Sequence, residues 1–209
     1  MWGQSLECRK KEAVTMTKED KIFLLNLARV QISDLVNIQW KGYKNVSAIH
    51  SGPAVQQTTG TFVTLTIKGE LRGCIGQIMP NDTIEKTIKQ NAISAAFYDP
   101  RFPQLSRDEF NSVEVEISIL SKPEPLIYSG ADELLNKIQQ DVDGLIIKLS
   151  GHSATFLPQV WAEISTKEEF LMHLCVKAAL SADEWKKGKL NVSTYTVEHF
   201  NEKELGLTL

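Results

Sequence analysis

The sequence contains few cysteines, and they are too scattered for a disulfide framework or a metal site. Its three cysteines are Cys8, Cys74 and Cys175, and no two of them have the Cys-X-X-Cys spacing of a zinc site. This excludes a disulfide-rich secreted domain, and the chain lacks the cysteine cluster of an iron–sulfur centre. No metal ligand is predicted. Reduced thiols are the simplest interpretation, so we predict a cytoplasmic protein.

Long apolar runs and a strong charge of either sign are also absent. No run approaches the ~20 apolar residues needed to span a bilayer, and residues 1–16 lack the apolar segment of a secretory signal. The formal net charge of -3 gives no general attraction to nucleic acid or anionic membranes. With 42% hydrophobic and 23% charged residues, the composition is that of a soluble globular protein. We therefore expect neither a membrane nor a nucleic acid as partner.

Hydrophobic periodicity and turn signals predict an α+β fold. Helical spacing of apolar residues predicts helices that begin near Thr17, Asp82, Ala131 and Thr166. Alternating residues predict strands at 62–67, 71–78, 113–120 and 192–200, and a hairpin through Ser150-Gly151. Because hairpins are mixed with helices and no regular β-α-β units occur, the pattern favours α+β over α/β. We predict a flexible tail over residues 1–16 and a single domain with two sub-lobes over residues 17–209.

The most informative segment is the hexapeptide Leu71-Arg72-Gly73-Cys74-Ile75-Gly76. In a regular strand the side chains alternate, so Arg72, Cys74 and Gly76 would share one face. A cationic neighbour favours the thiolate over the thiol, and flanking glycines let a ligand approach the sulfur. Cys74 is thus a candidate catalytic nucleophile, and Arg72, Gly73 and Gly76 are candidate ligand-binding residues. Alternatively, Cys74 is a small buried residue in a tightly packed strand.

Arg101 and Glu116 are the other candidate ligand-binding residues. Arg101 lies between two prolines, and a guanidinium on a restricted backbone suits the binding of carboxylate or phosphate. It could equally pair with Asp99 or Glu116 and hold the loop. Glu116 alternates with Glu114 in one strand, where paired carboxylates serve acid–base chemistry or form the polar face of a half-exposed strand.

A thiol nucleophile ordinarily needs a general base, and sequence spacing assigns none. His50 is the best candidate, because its loop precedes the predicted strand pair that contains Cys74. Whether the protein is an enzyme therefore stays open. Cys175 lies on the apolar stripe of a predicted helix, together with Leu171 and Leu174, and we predict that it belongs to the core.

Several segments, in order, resemble the AMMECR domain family, known in microbes as AmmeMemoRadiSam system protein A. The hexapeptide matches the family signature, and the similarity extends from about Lys18 to Phe200. The supporting matches are Arg101-Phe102-Pro103, residues 115–120 followed by Pro123-Glu124, Gly144-Leu145-Ile146, residues 156–161 and residues 170–178. Two positions depart from the family pattern. Ala179 stands where the family usually has glycine, and Asp143 stands where many members have histidine.

The resemblance implies an α+β fold of two unequal lobes, with largely antiparallel sheets flanked by helices and a cleft near the hexapeptide. The activity of the family is not established, so the cofactor is unknown. The microbial family name implies a shared modification pathway with a Memo-type protein and a radical S-adenosylmethionine enzyme. Two hypotheses stay open. One is an Arg72/Cys74 site for an anionic or electrophilic ligand, and the other is a non-enzymatic interaction or scaffold module in which the hexapeptide is structural.

Overall fold

The computed structural model describes residues 14–46 and 51–209. The predicted tail therefore falls mostly outside the described residues, and so does His50. Within the described chain, Met16 is buried in the apolar core and Val14 packs against it.

The described residues form four α-helices and eight β-strands. The helices are α1 (Lys18–Leu35), α2 (Ile84–Phe97), α3 (Ala131–Lys137) and α4 (Lys167–Lys177). The strands are β1 (Thr61–Ile67), β2 (Glu70–Gln77), β3 (Val113–Leu120), β4 (Glu124–Pro125), β5 (Gly144–Leu149), β6 (His152–Phe156), β7 (Asn191–Tyr195) and β8 (Val197–Asn201). As predicted, Thr17 and Thr166 cap helices, and their hydroxyls accept from backbone N–H groups of the first turn. None of the described helices is long and apolar enough to cross a membrane.

The strands form two four-stranded sheets, in the orders β2-β1-β3-β8 and β4-β7-β5-β6. The strand pairs are antiparallel, which confirms the predicted α+β class. By contact density the described chain divides into two compact units, and each contains one sheet. We call residues 14–120 with 198–209 the larger unit and residues 121–197 the smaller unit.

The single strand predicted at 192–200 is wrong, because two strands of different sheets occupy this segment. β7 ends at Tyr195 and β8 begins at Val197. Between them, the N–H of Thr196 donates to the hydroxyl of Ser121 at 2.9 Å, and its carbonyl accepts from the N–H of Ser121 at 2.9 Å. Thr196 therefore bonds to Ser121 where the chain changes sheet. The alternation of apolar and polar residues along the chain does not reveal such a change of sheet.

The sheet of the larger unit has one apolar face and one polar face. Val63 and Leu65 of β1 are fully buried and belong to one core cluster with Leu25 of α1 and Ile88 of α2. The residues between them point to the other side, because side chains alternate along a strand. The strand registers place on this second side Thr64, Thr66, Cys74, Glu114 and Glu116. We call it the polar face.

A buried ion pair fixes the C-terminal segment of the larger unit against α1. The fully buried Arg29 donates to both carboxylate oxygens of Glu202, each at 2.7 Å, and to the carbonyl oxygens of Phe110 and Val113. Tyr43 donates to the same carboxylate, and burial followed by this negative charge raises the pKa of Tyr43. This network anchors Glu202, the residue that follows β8.

The smaller unit packs α4 against its own sheet. Trp161 stacks on Phe170 with ring centroids 3.7 Å apart, and Cys175 is fully buried in the same cluster. The prediction that Cys175 belongs to the core is therefore confirmed. After α4, Ala179 has a left-handed backbone with φ 57°, and the N–H of Leu180 donates to the carbonyl of Cys175.

Candidate functional site

The hexapeptide lies in β2, an edge strand of the sheet in the larger unit. Gly73 is opposite Leu65 and Leu71 is opposite Thr66, so Arg72 is the extra residue of a β-bulge. The bulge interrupts the alternation between Arg72 and Cys74. The prediction that these two side chains share a face by simple alternation is therefore wrong, because it assumed a regular strand.

Arg72 is directed into the loop that follows α2. It is 8% exposed, and its Nε and Nη2 donate to the two carboxylate oxygens of Glu109 at 2.8 and 3.2 Å. These bonds hold the pKa of Glu109 down at about 2, although burial acts in the opposite direction. The guanidinium also lies 6.0 Å from the ring centroid of Phe102. Its buried Nη1 has no hydrogen-bond acceptor among the described residues. The charge of Arg72 is thus committed to Glu109.

Both glycines of the hexapeptide are explained by close packing. A Cβ on Gly73 would overlap the backbone carbonyl of Ala95 in α2, and a Cβ on Gly76 would overlap the ring of Phe62. The space beside each glycine is thus filled by protein atoms in this structure.

The backbone of Cys74 is held by an ion pair at the free edge of β2. Its N–H donates to Asp99 Oδ2 at 2.9 Å, and its carbonyl accepts from Arg101 Nη2 at 3.2 Å. Arg101 also donates from Nε and Nη2 to the two oxygens of Asp99, at 2.9 and 2.7 Å. The hydrogen bonds from Arg101 hold the pKa of Asp99 well below its usual range. The pair occupies hydrogen-bonding groups that an edge strand would otherwise expose.

Arg101 remains accessible although it is paired. Of the alternatives left open by the sequence, pairing with Asp99 is the one observed, and 53% of the Arg101 side chain is exposed. The pKa of Arg101 is raised, mainly by its hydrogen bonds to Asp99, against which burial acts, and in smaller part by the Cys74 thiol group. The cationic group that faces Cys74 is therefore that of Arg101.

The thiol of Cys74 lies on the polar face and is half-buried. Thr64 is directly opposite it on β1, and the Thr64 hydroxyl donates to Cys74 Sγ at 3.3 Å. The thiol thus has a hydroxyl donor on β1 and a guanidinium at its own strand edge.

Glu116 continues the same line across the sheet. Thr64 is opposite Cys74 on one side and opposite Glu116 of β3 on the other. The pKa of Glu116 is raised, first by burial. His199 of β8 and a hydrogen bond from Asn201 act in the opposite direction. We call Cys74, Thr64 and Glu116, which lie in line, together with His199 on the neighbouring strand β8, the polar row.

Of the residues proposed from the sequence, Cys74, Arg101 and Glu116 belong to one region of the sheet. Arg72, Gly73 and Gly76 instead hold β2 against neighbouring elements. The structure adds residues that sequence reasoning missed: Thr64, Glu109, His199 and Asn201. Asp99 was already named as an alternative partner of Arg101. His199 had no signal in the sequence, because its place depends on β8 pairing next to β3.

The described residues of this region form no metal-binding cluster. Within residues 14–46 and 51–209, no group of three or more His, Cys, Asp or Glu side chains is placed to hold a metal ion. The functional groups of the polar row are a thiol, a hydroxyl, a carboxyl and an imidazole, and the Arg101 guanidinium lies beside the thiol.

Comparison with known proteins identifies the family of the chain. The sequence profile of the AMMECR1 family matches residues 25–200. The chain belongs to the AMMECR1 family. A relative from Methanosarcina mazei is 37% identical over 190 residues, which cover 90% of this chain and 94% of the relative. Protein MJ0810 of Methanocaldococcus jannaschii is 37% identical over 193 residues, which cover 90% and 93% of the two chains.

The AMMECR1 fold is also known from a solved structure. The crystal structure of an uncharacterized protein, PH0010 from Pyrococcus horikoshii, superimposes with a TM-score of 0.76 at 32% sequence identity. The match covers 91% of this chain and 94% of that chain. The resemblance derived from the hexapeptide and its supporting segments is therefore confirmed.

Proposed function

We propose that this AMMECR1-family protein binds a carboxylate-bearing electrophile at Cys74 and forms a bond to it through sulfur. One observation carries the proposal. The sulfur of Cys74 lies on a polar sheet face with a hydroxyl donor at 3.3 Å, while an exposed guanidinium donates to the carbonyl of the same residue. If Cys74 only filled space in the sheet, neither the Thr64 hydroxyl nor the Arg101 guanidinium would be needed beside it.

Each residue of the site then has a distinct role. Cys74 is the nucleophile, and the Thr64 hydroxyl donates a hydrogen bond to its sulfur. Arg101 binds the carboxylate of the ligand, because its exposed guanidinium lies at the edge of the strand that contains Cys74. Arg72 supports the site indirectly through Glu109, which anchors the loop that contains Arg101.

The partners follow from the family resemblance. We propose that the protein acts with a Memo-type protein and a radical S-adenosylmethionine enzyme in one modification pathway, as the microbial family name implies. Reactive thiol chemistry of this kind requires a reducing compartment, for which we propose the cytoplasm. Support comes from the free thiols of Cys74 and Cys175.

A second candidate function is an interaction module without chemistry. It is favoured by the close packing of Gly73 against Ala95 and by the buried pair of Arg72 and Glu109, which explain much of the hexapeptide structurally. The two functions separate on Cys74→Ser. The thiol proposal expects this variant to fold normally and to be inactive in cells, whereas an interaction module expects it to remain functional.

The proposal is tested by comparing two alkylating reagents that differ in charge. Iodoacetate carries a carboxylate and iodoacetamide does not, so the ratio of their rates at Cys74 reports recognition of the anion by Arg101. We expect this ratio to exceed that of N-acetylcysteine about tenfold, since one charge-assisted hydrogen bond from Arg101 contributes on the order of 1.5 kcal/mol. Site-resolved mass spectrometry measures Cys74 separately from Cys8 and Cys175.

Arg101→Gln should lower the ratio to the value of the free thiol. Arg107→Gln is the matched control, because Arg107 is an exposed arginine of the same loop with no role in the proposed site. A ratio equal to that of N-acetylcysteine in the wild-type protein would falsify the proposal.

A further inference from the structure

We propose that Glu116 is the proton donor for additions at Cys74, and that the ligand is a carboxylate whose electrophilic carbon is conjugated to a carbonyl group. This inference rests on the proposed function, because it needs Cys74 as nucleophile and Arg101 as the carboxylate site. It adds a second polar contact to the ligand and thereby names its chemical class.

The strand registers give the dimensions of such a ligand. Cys74, Thr64 and Glu116 lie in line on three neighbouring strands, with Thr64 between the other two. Neighbouring strands are about 4.8 Å apart, so the Cα atoms of Cys74 and Glu116 are separated by about 10 Å. Side chains that extend toward each other across this gap can contact opposite parts of one small molecule. Arg101 lies at the other side of Cys74, at the strand edge.

This order fixes how the ligand lies. Its carboxylate is at Arg101, its electrophilic carbon is at Cys74 Sγ, and its carbonyl oxygen points along the row toward Glu116. Monomethyl fumarate has this arrangement of groups and serves as the probe, because the carbon attacked is next to the carboxylate and in conjugation with the ester carbonyl.

The surroundings of Glu116 suit a carboxyl group that holds its proton. The charged or titratable groups around it are Glu114 on its own strand, His199 on β8 and Glu204 after β8. Burial and the two neighbouring carboxylates raise its pKa, whereas His199 and the bond from Asn201 lower it. His199 is exposed, so it can return a proton from solvent to Glu116 after each addition.

The addition balances without an oxidant or another co-reactant. The thiol first loses its proton to solvent, and the thiolate then forms the bond from sulfur to the electrophilic carbon. The π electrons of the carbon–carbon double bond move to give an enolate. Glu116 protonates the enolate oxygen, tautomerisation gives the saturated carbonyl product, and Glu116 regains a proton from solvent through His199. The net change is addition of S–H across the double bond.

The test compares two reactions of the same thiol in Glu116→Gln. Alkylation by iodoacetate expels iodide and needs no proton donor, whereas addition to monomethyl fumarate does. General acids typically contribute a factor of 10²–10⁴, so we expect addition to slow by at least about tenfold while iodoacetate reacts at the wild-type rate. Glu70→Gln is the matched control, because Glu70 is an exposed carboxylate at the start of β2, opposite Ile67, and is not among the charged groups around Glu116. It should leave both rates unchanged.

A pH profile gives a second readout that a purely structural role would not affect. In the wild-type protein, the rate of addition divided by the rate of alkylation should fall as pH rises and Glu116 loses its proton. In Glu116→Gln the quotient should be independent of pH, since thiolate formation affects both reactions equally.

The outcomes separate this inference from the function on which it rests. If Cys74 shows no preference for iodoacetate, the proposed function fails, and the proton-donor role fails with it. If that preference is present but Glu116→Gln adds monomethyl fumarate at the wild-type rate, only the role of Glu116 is overturned. Equal melting temperatures of the wild type and both glutamine variants show that neither result reflects unfolding.

Discussion

Cys74 and Cys175 lie in two regions that give a thiol different surroundings. Cys175 is fully buried on α4 in the apolar cluster of the smaller unit, and burial raises its pKa. Cys74 is half-buried at a strand edge of the larger unit, where Thr64 donates to its sulfur and Arg101 to its carbonyl. A thiol in an apolar cluster fills volume. A thiol that is half-accessible and has polar neighbours can be reached by reagents from solvent.

The comparison also separates the hexapeptide into two functional parts. Arg72 and Gly73 are directed into the packing of α2 and its following loop, whereas Cys74 is directed to the polar face. We propose that the motif combines structural residues, Arg72 and Gly73, with one chemical residue, Cys74.

The largest expected effect comes from breaking the packing beside Cys74. In Gly73→Ala the new methyl group would overlap the backbone carbonyl of Ala95, which cannot move without displacing α2. We expect the free energy of unfolding to fall by about 3 kcal/mol. Gly130→Ala is the control, because a Cβ there meets no atom within 4 Å, and as a change at the N-cap of α3 it should cost no more than about 1 kcal/mol. Urea denaturation measures both, and equal stabilities would contradict this packing.

Serine substitutions at the two cysteines sharpen the comparison directly. Cys175→Ser places a hydroxyl in an apolar cluster and should destabilise the protein by about 1–2 kcal/mol. Cys74→Ser keeps a polar group on a polar face and should cost less than about 0.5 kcal/mol. The measurement is the midpoint of thermal or urea unfolding. A larger loss at Cys74 than at Cys175 would mean that the two environments have been assigned the wrong way round.

The smallest expected effect concerns the end of the helix that contains Cys175. Ala179 has φ 57°, a left-handed conformation that disfavours any residue with a Cβ. Ala179→Gly should therefore stabilise the protein by about 0.5–1 kcal/mol. The adjacent Ala178 has φ -78°, so Ala178→Gly should destabilise it. We expect the change in the free energy of unfolding to have opposite signs at these two neighbouring positions, as measured by urea denaturation. Destabilisation by both substitutions would rule out strain at Ala179.

Local features of the fold were predictable because they depend on nearby residues. The helix starts at Thr17 and Thr166 follow from capping chemistry, and the alternation of residues 113–120 follows from one buried and one polar sheet face. The core position of Cys175 follows from helical periodicity. Each of these patterns lies within a single helix or strand, so it does not depend on which distant segments meet in the fold.

Features that depend on pairing between distant segments were not predictable. The bulge at Arg72 is a property of the register between β1 and β2, and a single strand sequence does not specify it. The approach of His199 to Glu116 depends on β8 pairing next to β3. Arg29 is fully buried, although arginine is usually exposed. Its burial depends on Glu202, which lies 173 residues away in the chain, so nearby residues do not predict it.

The most direct test of the thiol site is site-resolved carboxymethylation of the native protein with limiting iodoacetate. We expect Cys74 to react more than about 100-fold faster than Cys175, because Cys175 is reached only when its helix opens. The rate at Cys74 should fall about tenfold in Arg101→Gln and stay unchanged in Arg107→Gln. Protection of Cys74 equal to that of Cys175 would contradict the account, since it would make Cys74 a second packing residue.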